Sequence, residues 1–110
     1  MAYDEQLADR VRGLLVGEAS VVEKKMFGGL AFLIGGHMAV AVSHSGGLLC
    51  RVDREDQEAA LARPHTEPMV MKGRAMTGWI RVDAAGLAED DDLQFWVDAG
   101  AEHARALPPK

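Results

Sequence analysis

The sequence has 110 residues, the length of one domain, and its shares of hydrophobic residues (48%) and charged residues (26%) are those of an ordinary soluble protein. The net charge of −5 argues against a general nucleic-acid coat protein. The single cysteine, Cys50, excludes an internal disulfide and a cysteine-based zinc site within one chain. No secretory signal is recognisable, and no apolar run approaches the roughly 20 residues of a membrane span. We therefore expect residues 1–110 to form a single cytoplasmic domain that does not enter a membrane.

A helix and four strands are predicted for the first half of the chain. Asp4 is placed as an N-cap, and apolar residues recur at helical spacing up to Gly17, so a helix is expected over about residues 4–16. The apolar runs that follow are separated by glycine pairs, which favour tight turns between strands. These strands are predicted over residues 21–27, 30–34, 37–43 and 48–52.

The third strand has two unlike faces. Met38, Val40 and Val42 are expected on one face, and the small Ala39 and Ala41 on the other. Because small side chains allow close approach, we expect a helix or another subunit to pack against the alanine face.

A short helix and a long loop are predicted next. Asp53 is placed to cap a helix over about residues 54–63, which Pro64 ends because the residue before a proline avoids helical geometry. Residues 64–77 show no regular pattern and are predicted to form a long irregular connection, of a kind that is often functional.

A strand and a helix complete the predicted order. The strand covers residues 78–83, and the helix begins at the three aspartates 90–92 and stops at Pro108-Pro109. The order helix, four strands, helix, strand, helix predicts an α+β fold of two layers, in which helices cover an antiparallel sheet.

Four spaced motifs support a family assignment, namely KKMFGGLAF at 24–32, LLCRVD at 48–53, RPHTEPMVMKGRAMTGWIRVD at 63–83 and ARALPPK at 104–110. Together they resemble the N-terminal domain of the TfoX/Sxy family over nearly the whole chain. The resemblance implies a bacterial protein with the fold of the secretion-chaperone superfamily, in which helices pack on a curved antiparallel sheet. Full-length members regulate natural competence and carry a second, C-terminal domain, so this chain is expected to be a stand-alone N-terminal domain. The resemblance implies no reaction.

A basic cluster is the first candidate binding site. Lys72 and Arg74 flank a glycine that lets the backbone approach a ligand, and charge-assisted hydrogen bonds from these side chains can hold a carboxylate or phosphate. We group Arg51 with them, and extend the site to Lys25 and His65. The alternative is that these cations pair with acidic residues of the helices and contribute little to stability.

An apolar patch is the second candidate. The flexible side chains of Met69, Met71 and Met76, together with Trp79, are typical of an adaptable protein-binding surface. Trp79 is expected on the opposite face of its strand from Ile80. The alternatives are that the patch covers the second face of the sheet within the same chain, or that it forms a twofold dimer.

Catalytic and metal sites are not indicated. The histidines lack the close spacing of metal ligands, and the glycine pairs match no phosphate-binding motif, so we expect no metal and no cofactor. Cys50 lies among apolar residues in a predicted strand, which favours a buried, unreactive thiol. The histidines considered are His37, His44, His65 and His103.

These observations predict a non-catalytic regulatory module that binds a protein partner or a second copy of itself as a homodimer. Direct binding of nucleic acid is not expected, because the net charge opposes it. The alternative is a protein, enzyme or not, that binds a small anionic ligand or a nucleotide at the basic cluster around Lys72.

Overall fold

The structure is a computed structural model that describes residues 3–18, 20–26, 28–43 and 46–108. Four residues named in the predictions lie outside these ranges. They are Phe27 at the end of the first predicted strand, the histidine His44, Ser45 in the turn before the fourth strand, and Pro109 after the last helix.

The bounds of most elements lie close to those expected from the sequence. The described helices are α1 (Glu5–Leu14), α2 (Gln57–Leu61) and α3 (Asp90–Ala106), with short 3-10 helices at Arg54–Asp56 and Ala84–Leu87. The strands are β1 (Val21–Met26), β2 (Gly29–Ile34), β3 (His37–Val42), β4 (Leu48–Arg51), β5 (Thr66–Met71) and β6 (Arg74–Val82). None of the described helices combines the length and apolar character that a bilayer crossing requires.

The described strands form one antiparallel sheet in the order β1-β2-β3-β4-β6-β5. Hairpins join the first four strands in sequence, and β6 then pairs with β4, which leaves β1 and β5 at the two edges. The predicted α+β class, with helices against an antiparallel sheet, is confirmed.

The start of α1 follows directly from the sequence. The Asp4 carboxylate accepts hydrogen bonds from the backbone N–H groups of Gln6 (3.0 Å) and Leu7 (3.2 Å), and so caps the helix as predicted. Leu7 and Val11 are buried in the main core, where α1 packs beside α3.

The structure contains a strand, β5, that was not predicted, so the irregular connection expected over residues 64–77 is wrong. β5 and β6 form a hairpin in which Met71 pairs with Arg74 across a two-residue turn. Both turn residues have positive φ, 52° at Lys72 and 77° at Gly73, as a type I′ turn requires. Lysine rarely adopts this conformation, so the Lys-Gly pair lacks the Asn-Gly signal by which such turns are predicted.

A bulge at Ala39 changes which residues of β3 share a face. Phe32 pairs with Val40 and Leu33 pairs with Met38, so Ala39 has no partner on β2. Val40 and Ala39 both belong to the main core, whereas Met38 packs on the other face. The predictions that Met38 shares a face with Val40, and that Ala39 shares one with Ala41, are therefore wrong, because the bulge interrupts the alternation.

The helices cover one face of the sheet. All buried apolar side chains of the described α-helices belong to one core cluster, which also contains Phe32, Val40 and Ile80, and Trp96 is its largest member. The predicted helix over 54–63 is shorter than expected, and Asp53 makes no side-chain cap for it. The cap prediction is wrong because the Asp53 carboxylate instead contacts His103 of α3.

Candidate interaction surface

The second face of the sheet carries an apolar cluster to which no described helix contributes a residue. We call it the open sheet face. Ala31, Ala41 and Leu49 are buried at its centre, and five larger side chains lie partly exposed around them. These are Met26, Leu33, Met38, Met69 and Trp79. A partly exposed, contiguous set of this kind on a sheet of this size is typical of an interaction surface.

Trp79 is held in place by Arg51. The two residues pair across β4 and β6, and the Arg51 guanidinium lies 4.6 Å from the centre of the indole ring. This distance allows a cation–π interaction, which fixes a long cationic side chain over an aromatic one. The contact also leaves the guanidinium on the same face as the exposed methionines.

The charges on the open sheet face are mainly positive. Arg81 lies opposite Leu49 on the neighbouring strand, and Lys24 lies opposite Ala31, so both share the face with Arg51. The carboxylates on this side are Glu67, which lies 3.9 Å from Arg81, and Asp83, which lines a cavity in the same face. Among the described residues of this face, three cations against two carboxylates contrast with the net charge of −5 for the whole chain, so the remaining surface is correspondingly acidic.

A shallow cavity of about 270 Å³ lies within this face, lined in part by Met26, Leu49, Met69 and Arg81. Pockets that enclose small molecules usually measure about 300–1,000 Å³. The shape is therefore better suited to single side chains of a protein partner than to a complete organic ligand.

The predicted partner residues are partly brought together. Met69 and Trp79 pack on the open sheet face, whereas Met76 is half-buried outside that cluster. Met71 ends β5, and its side chain lies outside the described part of the structure. The sequence analysis missed Met26, Leu33, Met38 and Leu49, because alternation along four separate strands does not show which face of the sheet the helices leave uncovered.

The predicted anion-binding residues are dispersed. Lys25 is on β1 and Lys72 is in the β5–β6 turn, and these strands are separated by five strand spacings, or about 24 Å along the sheet. His65 precedes β5 at the end opposite the Lys72 turn, and Arg74 lies five residues before Trp79. Lys72 and Arg74 are exposed next to each other, while Arg51 contacts Trp79. Anion binding at Lys72 and Arg74 stays a prediction.

Cys50 faces the core and not the open sheet face. It is completely buried, and its Sγ lies 3.2 Å from the carbonyl oxygen of Trp96. Burial raises the pKa of the Cys50 thiol to about 12, so the thiol is protonated at neutral pH. The expected buried thiol is confirmed, and its burial excludes it from contact with a partner.

Comparison with protein families supports the resemblance seen in the sequence motifs. The family described as TfoX N-terminal domain matches residues 14–104, a range that includes every described strand and most of α3. A search of curated proteins found no match. Since the family match covers most of the 110 residues, the chain belongs to the TfoX N-terminal domain family.

Proposed function

We propose that this protein is a non-catalytic regulatory module of the bacterial cytoplasm that binds a protein partner through the open sheet face. The observation that carries the proposal is the exposed cluster around Trp79 and Met69, which no described helix covers. Family membership supports a regulatory role, since longer members are linked to competence regulation.

The composition of the face supports a protein as its ligand. Tryptophan, methionine and arginine are among the residues enriched at protein interfaces, and tryptophan and arginine often dominate the binding energy. Trp79 and Arg51 are in contact here, and Met38 and Met69 lie in the same cluster. Methionine side chains adapt their shape, so such a surface can fit an apolar segment without rearrangement of the backbone.

The charges specify the partner further. Arg51, Arg81 and Lys24 favour a segment that carries acidic residues beside its apolar ones. Two copies of the face would bring the same cations together in a twofold dimer, which is unfavourable for a symmetric interface of this kind. We therefore favour an acidic, amphipathic segment of another protein over a second copy.

Site-directed photo-crosslinking in the native host tests this proposal. A photoreactive amino acid at position 69 is expected to capture one protein through an acidic, apolar segment identified by mass spectrometry. Val16, which is 87% exposed beyond the end of α1, provides the control position and should not capture that protein. The purified segment should bind the wild-type chain, and Trp79→Ala should weaken binding at least about tenfold.

The same experiment can contradict the proposal. Equal capture at positions 16 and 69 would show that the open sheet face has no special role. Crosslinks to a second copy, together with a concentration-dependent mass in sedimentation, would assign the face to a homodimer. Binding that is unaffected by salt would remove the argument from charge, since attraction between exposed charges weakens as ionic strength rises.

A further inference from the structure

The middle of the open sheet face has a floor of small side chains. Ala31 on β2 pairs with Ala41 on β3, and both are buried among larger side chains of the same cluster. Gly29, two residues before Ala31, extends this low surface in one direction along the strands. In the other direction the surface rises to Leu33 and Met38, which pair with each other and are larger and partly exposed. The shallow cavity of this face includes Gly29 and Ala41, in agreement with a low floor.

Longer side chains border the floor on both sides. On β1 the border is Lys24, which pairs with Ala31. On β4 the border is Leu49, which pairs with the second alanine, and Arg51, whose guanidinium lies over Trp79. β1 and β4 are three strand spacings apart, or about 14 Å. An α-helix with its side chains is about 10–12 Å across, so one helix fills the space between these borders.

A partner segment on this floor has to satisfy its own backbone hydrogen bonds. The floor is apolar, and β2 and β3 already pair with a strand on each side. An extended segment laid on the floor would therefore bury N–H and C=O groups without partners, which is unfavourable. A helix bonds these groups internally. A strand added at either edge would not reach the floor, since β2 and β3 lie inside the sheet.

The other face of the same strands already packs against a helix. α3 lies against β2, β3 and β4 on that side, so the curvature of these strands suits a helix there. On the open sheet face the two alanines leave the middle of the same strands low, which allows a second helix to approach closely.

The charges at the two borders have the same sign. Lys24 is exposed at one border, and Arg51 is half-buried at the other. The carboxylates of this side, Glu67 and Asp83, belong to β5 and to the residue after β6, both beyond the β4 border. A helix between the borders is therefore attracted most strongly if acidic residues follow both margins of its apolar stripe.

We propose that the partner segment is an amphipathic α-helix that lies along β2 and β3, with its apolar stripe on Ala31 and Ala41. Acidic residues on one margin of the stripe reach Lys24, and those on the other margin reach Arg51. This inference rests on the proposed function, and it adds the conformation of the partner segment, the strands that it covers and the positions of its acidic residues.

Three peptides of about 18 residues, long enough to form a helix, test the proposal. The first has leucines at helical spacing with glutamates on both margins, and the second has the same composition with leucine at every other position, as in a strand. The third replaces the glutamates of the first by lysines. Fluorescence anisotropy of labelled peptides should give a Kd below about 100 µM for the first and binding at least about tenfold weaker for the other two. Circular dichroism should show that the first gains helix on binding.

Matched variants locate the peptide on the floor. Ala41→Gln raises the floor without adding charge and should weaken binding of the first peptide about tenfold. Lys24→Glu reverses an exposed border charge and should weaken it about fivefold, and this variant keeps the test valid if Ala41→Gln does not fold. Lys25→Glu is the control, because Lys25 is equally exposed but pairs with Leu30 of the main core, on the helical side.

Several results would overturn the helix. These are equal binding of the first and second peptides, no binding of the first up to about 1 mM, tighter binding of the lysine peptide, or equal losses for Lys24→Glu and Lys25→Glu. Capture at position 69 of a partner segment that stays extended when bound would overturn the helix and leave the proposed function standing. Failure of the proposed function itself would appear differently, as equal capture at positions 16 and 69.

Discussion

Gly100 of α3 lies directly against the bulged Ala39 of β3. A Cβ atom on Gly100 would lie 2.3 Å from the Ala39 carbonyl oxygen and 2.8 Å from its carbonyl carbon. Real side chains do not approach backbone atoms this closely, so only glycine allows the helix to lie so near the sheet. The close approach expected on a face shared by Ala39 and Ala41 occurs at Ala39 alone, because the bulge places Ala39 in the core with Val40 while Ala41 lies on the open sheet face.

Gly100→Ala should therefore destabilise the protein by about 3 kcal/mol, because the backbone of β3 cannot move without breaking the sheet. Gly13→Ala in α1 is the control. A Cβ at Gly13 meets nothing within 4 Å, so alanine should stabilise this helix by about 0.5–1 kcal/mol. Chemical denaturation of both variants measures the difference, and equal effects of the two changes would contradict the contact described.

The buried thiol predicts how stability depends on alkaline pH. The pKa of Cys50 is about 12 when folded, against an ordinary value of 9.0, because burial disfavours the thiolate. Between these values the unfolded chain loses a proton that the folded chain keeps, so stability falls as pH rises, by up to about 1.4 kcal/mol per pH unit. Below pH 9 the contribution is constant.

Comparison with Cys50→Ala isolates this effect from the other groups that titrate at high pH. Unfolding free energies of both proteins measured from pH 8 to 11 should converge as pH rises. Parallel curves would show that the thiol ionises equally well in the folded state.

An ion pair links α1 to the edge strand β1. Nε of Arg12 lies 2.7 Å from Oε2 of Glu23, and Nη2 lies 2.7 Å from Oε1, so the contact is bidentate. The hydrogen bonds from Arg12 lower the pKa of Glu23. The stabilisation of the folded state by this ion pair is therefore fully present above the ordinary pKa of 4.5. It is lost as pH falls through the lower pKa that Glu23 has in the folded protein.

Glu23→Gln should cost less than about 1 kcal/mol at pH 7, since both side chains are substantially exposed to solvent. The cost should shrink in 1 M salt and vanish well below pH 4. Glu58→Gln, an exposed carboxylate of α2 for which the structure shows no ion pair among the described residues, is the control. If Glu23→Gln still lowered the free energy of unfolding at low pH, the stabilisation would come from packing of the Glu23 side chain and not from its charge.

The turn of the β5–β6 hairpin contains a lysine in an unfavourable conformation. Asparagine tolerates the positive φ of Lys72 better than lysine does, so Lys72→Asn should raise stability by about 0.5–1 kcal/mol. Thermal unfolding measures this gain, and Lys72→Ala, which removes the same charge without the conformational benefit, is the control. If both variants gained the same stability, the gain would come from removal of the lysine charge and not from a better fit to the turn geometry.

The helices and the central strands were predictable because their signals are local. Asp4 caps α1 through residues two and three positions later, and the glycine pair after Ile34 marks a hairpin within the same short stretch. β5 escaped prediction because Pro68 lowers strand propensity and the register shifts between Pro68 and Val70.

The candidate sites were less predictable, since they depend on contacts between distant residues. Asp53 has the sequence position of a helix cap, but its carboxylate contacts His103, fifty residues later. The face on which Met38 lies depends on a one-residue bulge, and the amino-acid sequence of β3 contains no signal for this bulge. Alternation along β6 correctly placed Trp79 and Ile80 on opposite faces, because no irregularity separates these neighbours.

The two edges of the sheet constrain how a partner can approach. β1 presents the consecutive cations Lys24 and Lys25, and β5 contains Pro68, which has no N–H to donate. Charges and proline at edge strands discourage the addition of a further strand. Growth of the sheet by strand addition, from this chain or from another, is therefore opposed at both ends. These two features therefore favour contacts through the apolar face over contacts between sheet edges.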